Sequence, residues 1–168
     1  MHEPVETARL VIRPFVNSDW ESFGRNVLTD PRLAVFFAGE RDPEAYLSAR
    51  IACYDLPGFY DFAIEEKKSG EVIGEFNAAY IRSLAAADMG LVISGPYQRR
   101  GFGKETLLAM MRCLNEENIT SFYGACKREN QASMALMKSV GMKECDPVPK
   151  EVRRRESEAD LCFFFLRK

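Results

Sequence analysis

The segment that most constrains this chain covers residues 93–104, where a strand-like stretch meets a helix-like stretch through two glycines. Helix N-termini carry unpaired N–H groups and about half a positive charge, so anions bind there. Glycine has no side chain and lets the backbone approach such an anion closely. The pattern Gln98-x-x-Gly101-x-Gly103 therefore predicts a site for a pyrophosphate group.

Two well-known nucleotide loops do not fit this segment. The dinucleotide fingerprint G-x-G-x-x-G needs a glycine where the chain has Thr106. The phosphate loop of nucleoside triphosphatases needs a glycine at Gln98 and a hydroxyl residue at Glu105. Both nucleotide interpretations are therefore excluded.

The residues after the glycines support a strand–helix–strand–helix order. Leu107, Met111 and Leu114 lie on one helical face, which predicts a helix over residues 104–118. Residues 119–126 are rich in β-branched and aromatic side chains and predict a strand. A second helix is predicted after Asn130, ending at Gly141.

Residues 88–143 resemble the second half of the GNAT superfamily of N-acyltransferases, whose acyl-CoA loop reads R/Q-x-x-G-x-G/A. Asn130 and Ser133, followed by an apolar helix that ends at Gly141, also match that family. The opening segment, residues 7–14, is similar to the first strand of the ribosomal-protein N-terminal acetyltransferase branch. The resemblance implies one α/β (α+β) domain over residues 1–168, with a mixed, mostly antiparallel sheet flanked by helices.

The resemblance also implies acetyl-CoA as co-substrate and assigns residues to it. The pantetheine arm is expected along a strand splayed from its neighbour by a bulge, formed by Leu91, Val92 and Ile93, where an N–H near Leu91 could stabilise the oxyanion. Asn130 is expected either to contact the pantetheine or to cap its helix. The pyrophosphate is expected on the loop residues Gln98, Arg99, Arg100, Gly101, Phe102, Gly103 and Lys104.

The implied chemistry is direct attack of an amine on the thioester, which needs an acid for the leaving thiolate. Relatives often place a tyrosine where this chain has Met137, so the resemblance points instead to Ser133. Alternatively, Ser133 has no catalytic role and simply occupies the first turn of the helix, where hydroxyl residues are tolerated.

The general base stays open at this point. Histone-acetylating relatives carry a glutamate where this chain has Ala87; Asp88 is adjacent, although neighbouring strand residues face opposite sides. Glu75 and Glu151 are further candidates, each with the alternative of a solvated surface acid. A bound water could also relay the proton. The catalytic candidates are thus Ser133 and Asp88.

The first half of the chain predicts elements with less specificity. Ser18-x-x-Glu21 predicts a capping box for a helix that turns Trp20, Phe23 and Val27 inward. Asp42-Pro43 predicts a second helix start. Residues 60–81 predict a hairpin, and residues 159–166 an apolar last strand.

Composition is consistent with one compact domain, since 46% of the 168 residues are hydrophobic. A net charge of −2 gives no electrostatic reason to expect nucleic acid or a membrane surface as partner. The basic run at residues 153–155 is flanked by acids and is interpreted as a solvated loop. No signal or spanning segment is seen, so a cytoplasmic location is expected.

Five widely spaced cysteines predict reduced thiols rather than a metal site or a disulfide framework. Because the single histidine is His2, near the start of the sequence, a Cys-His or Ser-His-Asp centre is not expected. A metal-free enzyme is therefore expected.

These features together predict an N-acetyltransferase that moves the acetyl group of acetyl-CoA to a primary amine within a ternary complex. The acceptor is a protein N-terminus or a small amine. A non-catalytic CoA-binding domain and transfer of another acyl group, such as succinyl, are the alternatives. The apolar last strand and the aromatic hairpin leave room for a homodimer.

Overall fold

The computed structural model describes residues 3–37, 42–152 and 160–168, which form an open eight-stranded sheet in the order β1-β2-β3-β4-β5-β6-β8-β7. Neighbouring strands are antiparallel except for β5 and β6, which run parallel. The expected mixed, mostly antiparallel sheet is confirmed. The strands are β1 (Val5–Glu6), β2 (Leu10–Arg13), β3 (Phe59–Glu66), β4 (Glu71–Ile81), β5 (Ala86–Ile93), β6 (Ser121–Lys127), β7 (Lys143–Glu144) and β8 (Leu161–Arg167).

Helices cover both faces of this sheet. They are α1 (Trp20–Phe23), α2 (Pro43–Ile51), α3 (Phe102–Glu116) and α4 (Gln131–Ser139). Helices α3 and α4 pack on one face, where Phe62, Phe76 and Met110 are fully buried. Helices α1 and α2 pack on the other, around Phe23 and Tyr46. Each covering helix removes apolar surface from water, which is the main force holding these layers together.

The predicted hairpin is confirmed as β3 and β4, but its two faces are both buried along much of its length. Phe62 and Ile64 face α3, as the alternation predicts, with exposures of 1% and 0%. The intervening Asp61 is only 6% exposed, because α2 covers the other face. The alternation of apolar and polar residues therefore predicted the strand correctly, but it did not predict that a polar residue such as Asp61 is buried.

The entry to α1 differs from the predicted capping box. The Asp19 carboxylate accepts the Val16 N–H at 2.9 Å, and a 3-10 turn at Asn17–Asp19 precedes the helix, which continues as a π turn over Gly24–Leu28. Phe23 and Val27 are buried as predicted, but Trp20 is 40% exposed, so its inward placement is wrong.

The other helix boundaries follow their local signals. The Asp42 side chain accepts the N–H groups of Glu44 and Ala45, with Pro43 in the first turn, which confirms the predicted start of α2. Gly141, with φ of 91°, follows α4 in the left-handed conformation expected for its end. Helix α3 begins at Phe102, two residues before the predicted start.

All five cysteines are free thiols, and Cys126 and Cys162 are buried. The predicted last strand is observed from Leu161, whereas the basic run at residues 153–155 lies outside the described residues. Within the described ranges, no helix combines the length and apolar character needed to cross a bilayer.

Candidate active site

A gap opens in the centre of the sheet where the parallel strands β5 and β6 separate. They pair over Ala86–Asp88 and Ser121–Tyr123, and then diverge. On its other side β5 stays paired with β4 as far as Ile93. In the part of the chain that the structure describes, the β6-facing edge of Leu91, Val92 and Ile93 thus has no strand partner. The backbone groups that face this edge are available to an extended ligand, except for the Ile93 carbonyl oxygen, which accepts a side-chain hydrogen bond from Gln98.

This gap does not arise from the bulge that the sequence predicted. The β4–β5 register is continuous from Gly74–Ile93 to Ile81–Ala86. A register shift lies instead at Ile64/Glu65, in the β3–β4 pairing. The splay is produced by divergence of the two parallel strands, because β6 continues alongside β8 while β5 follows β4.

The glycine loop lies at the end of β5, next to the gap. Gly101 is the N-cap of α3 with φ of 83°, and Arg99 also has a positive φ, of 59°. A left-handed backbone costs an L-residue about 1 kcal/mol, which explains the glycine at 101. The first N–H groups of a helix of this length have no intrahelical acceptor, so they are available as donors at the loop.

The loop side chains contribute unequally to this site. The Gln98 side-chain amide donates to the Ile93 carbonyl oxygen at 2.7 Å and closes the turn. Phe102 is 2% exposed and packs in the core, so only its backbone can reach an anion. Arg99 and Lys104 are exposed, whereas Arg100 pairs with Glu66 at 3.2 Å.

Gly103 has a different role from the one its position in the loop suggests. A Cβ built there would lie 3.1 Å from Leu136 Cδ2 and 3.4 Å from Leu91 Cδ2. Its small size lets α3 approach α4 and β5. A bulky residue at 103 would therefore disturb helix packing in addition to any effect on a pyrophosphate.

Two anchors hold the loop, and sequence reasoning found neither of them. The Asp30 carboxylate accepts the Gly95 N–H at 2.8 Å and pairs with Arg32 at 2.8 Å. Hydrogen bonding from Arg32, with a smaller backbone contribution from Gly95, lowers the pKa of Asp30 to about 2 against opposing burial. The loop is thus tied to a segment 65 residues earlier.

The second anchor comes from the turn between β1 and β2. Arg9 donates to the Arg100 carbonyl oxygen at 2.8 Å and to Glu105 at 2.7 Å, and its guanidinium lies 4.5 Å from the centre of the Phe102 ring. The Thr7 hydroxyl donates to Glu105 at 2.6 Å. Thr7 and Arg9, in the turn between β1 and β2, thus fix the first turn of α3.

Asn130 and Ser133 lie at the start of α4, across the gap from β5. The Asn130 side-chain oxygen accepts the Ser133 N–H at 3.0 Å, so Asn130 is the helix N-cap. The Ser133 hydroxyl hydrogen-bonds the thiol of Cys126, at the end of β6. Burial raises the pKa of this thiol, and the bond from Ser133 opposes that rise. Met137, where relatives often carry a tyrosine, is buried in the core.

The candidate bases have separate environments. Ala87, which has no group that could take a proton, is fully buried on the α3 face of the sheet. Asp88 is half-buried and faces the α2 side of the sheet, as do Gly90 and Val92. Glu75 is 3% exposed and accepts the Tyr46 hydroxyl at 2.7 Å, so its interpretation as a surface acid is wrong. Glu151 is exposed in a turn.

Known proteins share this architecture. Residues 9–143 match the family described as acetyltransferase (GNAT) domain. A protein from Vibrio cholerae, named as a ribosomal-protein-serine acetyltransferase, superposes with a TM-score of 0.82 at 21% identity over 100% of both chains. A ribosomal alpha-N-protein acetyltransferase, solved with coenzyme A in disulfide linkage to one of its cysteines, superposes with a TM-score of 0.80 at 16% identity over 98% of both chains. A microcin self-immunity acetyltransferase, solved with acetyl-CoA and AMP, superposes with a TM-score of 0.75 at 11% identity over 96% of this chain and 94% of its own.

Proposed function

This chain belongs to the GNAT acetyltransferase family, and from that premise we propose that it transfers the acetyl group of acetyl-CoA to a primary amine in a ternary complex. The observation that carries the proposal is the gap between β5 and β6, with an unpartnered strand edge on one side and the glycine loop at its end. Such a gap accepts a long ligand with an amide-containing arm and an anionic end.

The residues at the gap divide between the parts of acetyl-CoA. The pantetheine amides would bond to the free edge at Leu91, Val92 and Ile93. The pyrophosphate would bind the N–H groups at the start of α3. The amide nitrogen of Asn130 is left for the pantetheine, because its oxygen already caps α4.

In the proposed reaction, the amine nitrogen attacks the thioester carbon, and the carbon–sulfur bond breaks as sulfur leaves as a thiolate. A backbone N–H near Leu91 stabilises the oxyanion. Ser133 lies beside Cys126. Its hydroxyl would give a proton to the departing sulfur and take one from a bound water in the same step, so that the serine stays neutral. Asp88 faces the α2 side of the sheet, from which the amine would approach, and would take the proton that the amine loses.

The acceptor would be a protein N-terminus or a small amine. Solved structures of similar fold include two proteins named for acetylation of ribosomal proteins, which supports the first class. Two alternatives to acetyl transfer are distinguished from it by experiment. A non-catalytic CoA-binding domain would bind without turnover, and a succinyltransferase would prefer succinyl-CoA over acetyl-CoA.

The experiment combines calorimetric titration of the full chain with acetyl-CoA and a thiol-release assay over peptides and small amines. Binding at one site with turnover on an acceptor supports the proposal, whereas absence of binding overturns it. Ser133→Ala is expected to lower kcat by about a hundredfold while leaving the Kd for acetyl-CoA nearly unchanged. Ser139→Ala is the matched control, because its hydroxyl bonds the Leu136 carbonyl near the other end of the same helix. Equal kcat in both variants would remove Ser133 from the chemistry.

A further inference from the structure

Two buried carboxylates lie side by side on the α2 face of the sheet. Asp61, on β3, is 6% exposed, and Glu75, on β4, is 3% exposed. The Tyr46 hydroxyl donates to both Glu75 oxygens, at 2.9 and 2.7 Å. Arg50 Nε is 3.1 Å from Asp61 Oδ2 and 3.9 Å from Glu75 Oε1, with its guanidinium over the Tyr46 ring.

Among the described residues, the ion pairs of these two acids involve one positive group, Arg50. The groups that face the two carboxylates from α2 and from the segment after it are Arg50 and the hydroxyls of Tyr46 and Tyr54. The Tyr54 hydroxyl donates to the backbone carbonyl of Asp61 and not to its carboxyl group. Asp61 Oδ1 is buried and receives no hydrogen bond from any described residue. A buried oxygen without a donor costs stability, so a proton or a cation must complete the pair.

In the absence of a cation, a retained proton serves this purpose. Burial first, and then the charge of Glu75, raise the pKa of Asp61 to about 8, against the opposing effect of Arg50. Two carboxyls in contact share one proton because both cannot ionise together.

The pair stands next to an open part of the sheet. In the strand register Asp61 is opposite Asn77, and Asn77 is opposite Gly90 on β5. Asn77 and Ala79 are exposed at the centre of the α2 face, and a Cβ on Gly90 would collide with the Asn77 amide. Two strand spacings place the Asp61 backbone about 10 Å from Gly90, where β5 leaves β6.

We propose that Asp61 and Glu75 form a subsite for a second ammonium group of the acceptor, which makes a diamine the preferred substrate class. The inference rests on the acetyl transfer proposed above. The reacting amine would lie at the gap beside Gly90, and the distal ammonium would reach the pair across Asn77. On binding, the ammonium replaces the shared proton, which passes to water, so the charge of the pair stays compensated.

The test compares 1,5-diaminopentane with 1-aminopentane, which has the same carbon chain and lacks the second ammonium. With saturating acetyl-CoA, kcat/KM for the diamine is expected to exceed that for the monoamine by about tenfold, as for one charge-assisted contact. The ratio of kcat/KM for the diamine to kcat/KM for the monoamine is expected to fall towards one in Asp61→Asn and in Glu75→Gln. Asp55→Asn, which changes an exposed acid, is the control and should keep the wild-type ratio. The ratio also rises with pH between about 6.5 and 8.5, because the ammonium competes with a proton.

A binding measurement separates this inference from the proposed acetyl transfer. Calorimetric titration of the CoA-saturated protein with 1,5-diaminopentane, in two buffers of different protonation enthalpy, should show proton release in the wild type. Loss of the release in both variants supports the subsite, whether or not turnover occurs. Equal binding of diamine and monoamine to the wild type, or a diamine preference that survives both substitutions, overturns it. Failure to bind acetyl-CoA would instead overturn the proposed transfer.

Discussion

Replacing Asp61 by Asn should change the stability of the protein in a way that depends on pH. The unfolded carboxyl ionises near its ordinary pKa of 3.8, whereas the native one, buried beside Glu75, does so near 8. Between these values the native state holds a proton that the unfolded state has lost. Its contribution to stability is therefore complete below about pH 4 and is lost as pH rises through about 8.

The magnitude follows from one retained proton. A difference of one bound proton lowers the free energy of unfolding by about 1.4 kcal/mol for each pH unit. Asn has the shape of the protonated carboxyl, so Asp61→Asn and wild type should differ little below about pH 4. By about pH 7, roughly three pH units higher, the variant is expected to be more stable by roughly 4 kcal/mol.

Urea unfolding followed by circular dichroism at several pH values measures this difference directly. Asp55→Asn is the control, because Asp55 is exposed in the segment after α2. Groups distant from Asp61 titrate equally in wild type and variant, so the difference in stability isolates the buried pair of Asp61 and Glu75. A difference that stays constant between about pH 5 and 7 would refute the retained proton.

Two further substitutions test the loop and its anchors. Gly101→Ala and Gly70→Ala should each cost about 1 kcal/mol of stability, because φ is 83° and 70° at these positions, but only the former should weaken acetyl-CoA binding, as seen by calorimetry. Arg9→Ala removes the bonds to Glu105 and to the loop, and should raise the Kd for acetyl-CoA about tenfold. Arg25→Ala, which breaks an exposed pair, should leave that Kd unchanged. Equal binding by both variants of either pair would contradict the role given to the loop or to Arg9.

The elements that the sequence predicted well depend on short-range signals. The turn chemistry at Asp42-Pro43 and at Gly141 acts within a few residues, so the start of α2 and the end of α4 followed from it. The glycine loop is also local, and Gly101 has the conformation that only glycine adopts easily. Trp20 was misplaced because the helix is a single α turn that passes into a π turn after Phe23, and periodicity for a regular helix does not reveal this.

The parts of the site that escaped prediction depend on contacts between distant segments. Asp30 reaches Gly95 across 65 positions, and Arg9 reaches Arg100 across 91. Asp61 and Glu75 become a buried pair only through the β3–β4 register and the packing of α2. No spacing rule in the sequence encodes these distances, because they are set by tertiary packing.

The most direct test of the central assignment is a titration of the isotope-labelled full chain with acetyl-CoA, followed by amide chemical shifts in nuclear magnetic resonance. The largest changes are expected along the free edge of β5, at Leu91, Val92 and Ile93, and at the start of α3, from Gly101 to Lys104. Saturable binding with changes confined to these segments would support the gap as the acetyl-CoA site. Absence of binding, or changes centred on another part of the sheet, would contradict it.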